Sequence, residues 1–391
     1  MTDNGDWLYG KITDEALATL RSRVGVLTHE HPLSDPYSQY SIIRYLGSCG
    51  DDNPLFWDEG YAAGTMWKGV VAPPRMLIAG SSITPRSVAQ PLAKPSFMGE
   101  DVLRGVFAMI SGTRIVFERP IRIGDRVSAI SSPFDVVERQ STMAGRSVEL
   151  INKIVYSNQN GETIATEYAS VIRMERGSAR ENRKYLDIPE PRYSSDEMAE
   201  LSKYYQSEAS RRRGATPRYW EDTAVGEELT PLAKGPLTIT EIAAYFMGRN
   251  ETYYTNRLKH LELLANPNAR LVNVDSNVED NWVAAHWDGY FATLSGIPRP
   301  YDEGPMRYDN MTHLVTDWMG DDAVLKEIAV TLRAPNLVGD LSWCTGKVVG
   351  KRVEKGAHLV DLEMRITNQR QEVTTRGSAV VELPRKLGQN N

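Results

Sequence analysis

The segment Ala284–Met306, AAHWDGYFATLSGIPRPYDEGPM, holds one of the six histidines of the chain. Imidazole changes charge nearest neutral pH, so His286 is the side chain best suited to take a proton from water and hand it on. An earlier segment, Asn53–Pro74, NPLFWDEGYAAGTMWKGVVAPP, has the same rhythm. Each copy reads Trp-Asp, three residues, then Ala, but His286-Trp287-Asp288 in the later copy is Phe56-Trp57-Asp58 in the earlier one. A segment written twice with its histidine kept once implies one reactive centre in a duplicated scaffold. Asp58 and Asp288 recur with and without the histidine, so they read as caps of the helices that follow.

Two further signatures recur in the same order. Pro-x-x-x-Gly-Asp occurs at Pro120–Asp125 and Pro335–Asp340, and Asn-Gln-x-x-Glu, followed by Ala, at Asn158–Glu162 with Ala169 and Asn368–Glu372 with Ala379. Three matches in register mark a duplicated domain of ordinary size. Around each signature, apolar and polar residues alternate and Val and Ile abound, which predicts strands. Asn160-Gly161 is a hairpin signal, while the second copy has Arg370-Gln371 there. Upstream, PRMLIAGSS and GPMRYDNMTHLVTDWMG predict helices; the second puts Met311, Leu314, Val315 and Trp318 on one face, with Pro305 in its first turn and Gly320 at its end. Each half is thus expected to be one helix against at least four antiparallel strands, an α+β fold. The expected boundaries are 1–180 and 218–391, joined by a polar linker, 181–217, with a helix around Ser195–Ser210.

The length, 391 residues, suits two such domains, and a net charge of −6 with scattered basic residues excludes a nucleic-acid stripe. The cluster Arg211-Arg212-Arg213 reads as a solvated helix end or loop. Cys49 and Cys344 are far apart, which fits a reducing compartment. The acidic start MTDNGDWLYG is not that of a signal peptide, and no apolar run approaches the ~20 residues needed to span a bilayer. The cytoplasm is the expected location. His260 and His313 show no carboxylate or cysteine at a ligand spacing, so neither a metal nor another cofactor is expected.

Each half resembles a MaoC-like hydratase/dehydratase domain, whose fold is the hotdog: a long helix wrapped by an antiparallel sheet. That family's motif runs Asp-x-Asn-Pro-(Ile/Leu)-His-x-Asp, then an Ala, a Gly and a His-Gly-Met-like helix start. The first half matches as Asp51-Asp52-Asn53-Pro54-Leu55-Phe56-Trp57-Asp58, with Phe56 for the histidine and Arg75 where the helix-start glycine would stand. The second keeps His286, Asp288, Ala292, Gly296 and Gly304. The order of a degenerate FAS1-like first half and a histidine-bearing second half is that of double-hotdog members, so tandem hotdog domains are expected. The resemblance implies an acyl-thioester hydro-lyase acting on an enoyl-CoA or carrier-protein thioester to give an (R)-3-hydroxyacyl product. It places the catalytic acid five residues before the histidine, where this chain has Asn281; Asp280, one residue earlier, and Glu279 are the candidates, the stretch Glu251–Ala285 being an insertion.

Such chemistry needs a base for water, an acid for the substrate carbon, and a donor for the thioester oxygen as it gains enolate charge. His286 serves the first need, and Asp280 orients the same water and shares the proton transfers. The Gly304 N–H, at a helix start beside a proline that cannot donate, serves the third. Tyr301, Asp302 and Arg307 flank that position and are expected to shape the pocket, and Phe56 and Arg75 to line space that the lost first site leaves for a bulkier acyl chain. No nucleic-acid or membrane partner is expected, and a homodimer of such chains is compatible with the fold. The alternatives are a hotdog thioesterase and a non-catalytic acyl-binding or partner subunit.

Overall fold

The computed structural model describes residues 10–26, 29–78, 102–140, 146–175, 187–249, 254–265 and 270–386. Ten strands form one antiparallel sheet. The first half supplies β1 (His29–His31), β2 (Phe107–Phe117), β3 (Val127–Gln140), β4 (Arg146–Asn158) and β5 (Thr163–Met174). The second supplies β6 (Leu232–Lys234), β9 (Val324–Leu332), β10 (Ser342–Glu354), β11 (Ala357–Asn368) and β12 (Val373–Glu382). A separate hairpin consists of β7 (Arg270–Asn273) and β8 (Val278–Asn281). The order β1-β3-β4-β5-β2-β9-β12-β11-β10-β6 reads the same from either end, so the halves meet edge to edge at β2 and β9. Gly112 sits at this seam, where a Cβ would lie 2.5 Å from the Val330 carbonyl oxygen; only glycine lets the strands close there.

The duplicated signatures fold alike. Asn158 Oδ1 accepts from the N–H groups of Asn160 and Glu162, and Asn368 Oδ1 from those of Arg370 and Glu372. Gly161 and Gln371 both take positive φ, so the second hairpin makes the same turn at the cost of a non-glycine residue in the left-handed region. Asp125 Oδ2 accepts from Arg122 N–H and Asp340 Oδ2 from Leu337 N–H, in turns that both use a positive-φ glycine. The Pro/Gly-Asp turn does not close a hairpin: β2 pairs with β5 and β9, and β3 with β1 and β4.

Helices α1 (Asp14–Ser22), α2 (Gln39–Cys49) and α3 (Glu59–Gly64) belong to the first half. The linker carries α4 (Ser195–Gln206), opened by a Ser194–Glu197 capping box, and α5 (Glu208–Arg211). The second half adds α6 (Ile239–Gly248), α7 (Asn256–Ala265), α8 (Gly289–Leu294) and the long α9 (Gly304–Met319), which ends at Gly320 with φ 78°. Met311, Leu314, Val315 and Trp318 enter a core that also takes in Ile42, Tyr45 and Phe56 from the first half. Burial of each such side chain contributes about 1.5–3 kcal/mol. Unlike the one-sided helix the sequence predicts, α9 is enclosed on several faces, for Asp309, Thr312, His313 and Thr316 are buried as well. In the first half Pro74–Ile78 forms a turn and irregular chain; the rest of the helix expected there lies outside the described residues. Among the described residues, no helix is long and apolar enough to cross a membrane.

The Arg211–Arg213 cluster is not solvated as expected. Arg211 stacks on the Tyr204 ring, Arg212 pairs with Asp317 at 2.8 Å and with Asp52, and Arg213 donates to backbone carbonyls of Thr216 and Pro217. The Arg212 guanidinium straps the linker to α9 and the first half, while those of Arg211 and Arg213 hold the linker's own turns.

Candidate active site

His286 closes a short 3-10 turn, Trp282–His286, which Asn281 caps by accepting from Val283 N–H. The first-half counterpart, Pro54–Phe56, is capped by Asn53 accepting from Leu55 N–H, and Phe56 occupies the matching end. Asp58 and Asp288 then cap α3 and α8, as the repeat predicts.

The His286 ring is 8% exposed, and its Nδ1 lies 2.9 Å from the Tyr301 carbonyl oxygen. A carbonyl only accepts, so Nδ1 carries the proton and Nε2 presents a lone pair. Burial, with the Arg307 charge adding to it, lowers the pKa to about 4, although the bond to Tyr301 opposes the shift. The imidazole is therefore neutral at pH 7 and can accept a proton. In the unfolded chain it titrates near pH 6.5. Its contribution to stability is complete above that value and lost as pH falls toward 4, to the extent of ~3 kcal/mol. Asp302 works in the opposite sense. Burial raises its pKa to about 6 against the pull of Arg307, so protonation on the way down favours the fold. The two terms mask each other in a whole-protein pH curve. The expected result is seen by difference: His286→Gln gains stability relative to wild type between pH 6.5 and 4, measured by denaturant unfolding at each pH.

Around the ring, Phe246 lies 5.9 Å and the Tyr301 ring 4.6 Å away, centroid to centroid. Asp302 pairs with Arg307 at 2.9 Å and accepts from Asn336 Nδ2 at 3.1 Å. Arg307 also donates to the Ala334 carbonyl oxygen at 2.6 Å, so both side chains brace the start of α9. Gly304 opens that helix, and its N–H has no intrahelical acceptor. A Cβ there would meet Leu332 Cδ1 at 2.8 Å, with Ile110 behind it, so the glycine lets the helix start press against the seam of the sheet.

Asp280 pairs with Lys259 at 2.9 Å, and Glu279 pairs with Arg270. Neither bonds to His286. The hairpin still tells them apart. Asp280 lies opposite Leu271 and so shares its face. Leu271 packs with Ala284, Ala285, Phe291 and Tyr301, the surroundings of His286. Glu279 projects from the other face.

Phe56 lines an apolar cavity of ≈ 280 Å³ with Leu55, Val71, Ala72, Ile121 and Met319. Thr316, also in its wall, is twelve residues along α9 from Gly304, about 18 Å. Arg75 does not reach this cavity. It is buried between Asp309 at 3.3 Å and Glu167 at 3.5 Å, over the Tyr308 ring.

Two clusters escape the sequence reading. Asp309 accepts from Tyr45 and Tyr245 hydroxyls, at 2.8 and 2.6 Å, and faces Arg75 and Arg249 at 3.3 and 3.2 Å. One tyrosine and one arginine come from each half. The signal was a fourth repeat, Ser38, Ile42 and Tyr45 against Thr238, Ile242 and Tyr245. Six residues on from each tyrosine stand Asp51 and Glu251, the latter outside the described residues. The second cluster corrects the reading of His313: Asp317 is four residues further along α9, and its Oδ2 lies 3.5 Å from His313 Nε2, with Asp51 at 3.7 Å and Glu208 at 3.8 Å. Glu208, His313 and Asp317 have the spacing of metal ligands. However, Lys234 Nζ lies 2.9 Å from His313 Nδ1 and reaches the Cys49 and Gly50 carbonyl oxygens. An ammonium group only donates, so Nδ1 accepts and the proton sits on Nε2, the tautomer a metal ion could not use there.

Residues 22–167 match the model of the FAS1-like dehydratase domain region. A protein of Thermomonospora curvata named as an enoyl-CoA hydratase alpha subunit is 26% identical over 146 residues, which is 36% of this chain and 45% of that protein's length. A solved MaoC-like dehydratase superposes over 93% of this chain and 100% of its own, with TM-score 0.61 and 18% identity. A MaoC domain dehydratase from Chloroflexus aurantiacus does so over 92% and 96%, with TM-score 0.55 and 12% identity. A Mycobacterium tuberculosis protein described as a double hotdog covers 97% and 100%, with TM-score 0.50 and 11% identity.

Proposed function

From a chain whose residues 22–167 match the model of the FAS1-like dehydratase domain region and whose fold is the double hotdog seen in MaoC-like dehydratases, we propose an acyl-thioester hydratase that adds water reversibly to an enoyl-CoA or carrier-protein thioester, giving the (R)-3-hydroxyacyl product. The observation that carries this reading is the His286 tautomer: Nδ1–H is committed to the Tyr301 carbonyl, and Nε2 of this buried residue is left as a base. Water bound at Nε2 attacks C3 of the enoyl group as its proton passes to the imidazole. The Gly304 N–H, with the helix dipole behind it, stabilises the charge on the thioester oxygen. Asp280, exchanging Lys259 for the water, relays the proton from the imidazolium to C2, which returns His286 to its neutral form as the 3-hydroxyacyl product is completed. Dehydration is the reverse path.

Crotonyl-CoA is the test substrate, followed both by loss of the conjugated double bond in the ultraviolet and by a free-thiol reagent. Loss of the double bond without thiol release is the expected outcome. Thiol release would make the protein a thioesterase, and neither signal would make it a binding subunit. Within the site, Asp280→Asn is expected to lower turnover far more than Glu279→Gln, because an amide can hold water but cannot return a proton. An unaffected Asp280→Asn beside an inactive Glu251→Gln would move the acid to the position counted from Tyr245.

A further inference from the structure

A second cavity, of ≈ 350 Å³, runs beside α9 between α2 and α6. Asp302 and Met306, which flank Gly304, form one end of it; Glu208 and Lys234 form the other. Its α9 wall is Met306 and Asn310, one turn apart on the same face of that helix. Asn310 is about 9 Å along the axis from Gly304. This is the nearer of the two cavities to the thioester position, since the Phe56 cavity lies at the far end of α9.

The polar groups of this wall fall into two sets. Lys234 is fully engaged, with His313 Nδ1, Cys49 O and Gly50 O as acceptors. Tyr205 donates to the Gly235 carbonyl oxygen. By contrast, among the described residues the Glu208 carboxylate has no hydrogen bond, its Oε1 only approaching His313 to 3.8 Å, and burial raises its pKa. The Asn310 amide has no hydrogen-bond partner among the described residues. Asn336 is 5% exposed, donates from Nδ2 to Asp302, and leaves Oδ1 buried without a donor. A plain hydrocarbon chain in this space would leave all of these acceptors unmet, and an unmet buried acceptor opposes binding. A chain carrying hydroxyl groups would satisfy them.

On the reading of the chain as a thioester hydratase, we propose that this cavity is the acyl subsite and that it selects acyl thioesters bearing a hydroxyl on the acyl chain. Glu208 accepts from the distal hydroxyl, whose oxygen accepts in turn from Asn310 Nδ2, and the chain between them and Gly304 passes Met306. The shared chemistry, a chain with hydrogen-bond donors, would also describe the pantetheine arm, and the experiment separates the two.

Wild type, Glu208→Leu and Asn310→Leu are compared on hex-2-enoyl-CoA and on the same thioester with a terminal hydroxyl. Wild type is expected to favour the hydroxylated substrate in kcat/KM on the order of tenfold, and the preference to collapse toward unity in both variants. Equal or reversed preference in wild type, or a preference unchanged in both variants, overturns the proposal. Calorimetry with hexanoyl-CoA, its hydroxylated analogue and free CoA repeats the comparison without requiring turnover, so selection is read even if the hydratase assay fails. Tighter binding of the hydroxylated analogue, lost in the variants, supports the acyl subsite. Equal weakening of all three ligands, free CoA included, assigns the cavity to the pantetheine arm and overturns the proposal.

Discussion

His286→Ala is expected to lower hydration of an enoyl-CoA by about 10²–10⁴-fold while leaving the protein folded and able to bind a saturated acyl-CoA. The imidazole is the one group at the site whose tautomer is set by a carbonyl and whose second nitrogen carries a lone pair. Removing it takes away the base and leaves the Gly304 N–H and the cavity walls in place. Because burial lowers the His286 pKa to about 4, wild-type turnover should not fall through an imidazole ionisation near pH 6.5; the base is lost only as pH approaches 4. The matching control is Phe56→His. Phe56 stands at the end of the equivalent turn, but Arg75, at the helix-start position of that half, is consumed by Asp309 and Glu167. Restoring the imidazole there should create no second activity. Steady-state kinetics across pH, with binding measured separately, check all of this. Near-normal turnover in His286→Ala sinks the mechanism, and loss of fold together with loss of binding makes His286 a packing residue.

Asp309→Leu is expected to destabilise the whole chain by about 3–5 kcal/mol, because it strips the shared carboxylate from the buried Arg75, the half-buried Arg249 and two buried tyrosines. For a protein of this size that is about a 4–6 °C drop in Tm. The effect should appear as one cooperative transition, since Tyr45 and Arg75 belong to the first half and Tyr245 and Arg249 to the second, and the largest apolar cluster draws on both. Asp309→Asn keeps one acceptor and should fall between Leu and wild type. Calorimetric melting decides: a wild-type Tm for Asp309→Leu, or two separated transitions, contradicts a seam organised on this carboxylate.

The duplication, the strands and the single histidine were legible in the chain because each rests on local rules. Alternation of apolar residues sets strands, Asn and Asp side chains close turns over their own backbone, and Asp58 and Asp288 cap the next helix whatever lies across from it. These interactions span a few residues, so spacing alone reveals them. The linker arginines show where local reading stops. Three adjacent cations suggest a solvated face, yet Asp317 and Asp52, distant in sequence, take up Arg212.

The sequence by itself determined a two-fold α+β scaffold in which the repeated segment keeps a histidine once, because repetition and periodicity survive without any knowledge of contacts. Only the tertiary structure decided how that histidine is poised. The Tyr301 carbonyl assigns its proton and burial lowers its pKa, and both depend on how the chain returns around α9. The same holds for Arg75, Asp309 and His313. Each draws partners from both sides of the chain, Arg75 from Glu167 and Asp309, Asp309 from Tyr45 and Tyr245, and His313 from Asp51 and Lys234, and the balance between desolvation and pairing that fixes the role of a buried charge has no signature in sequence spacing.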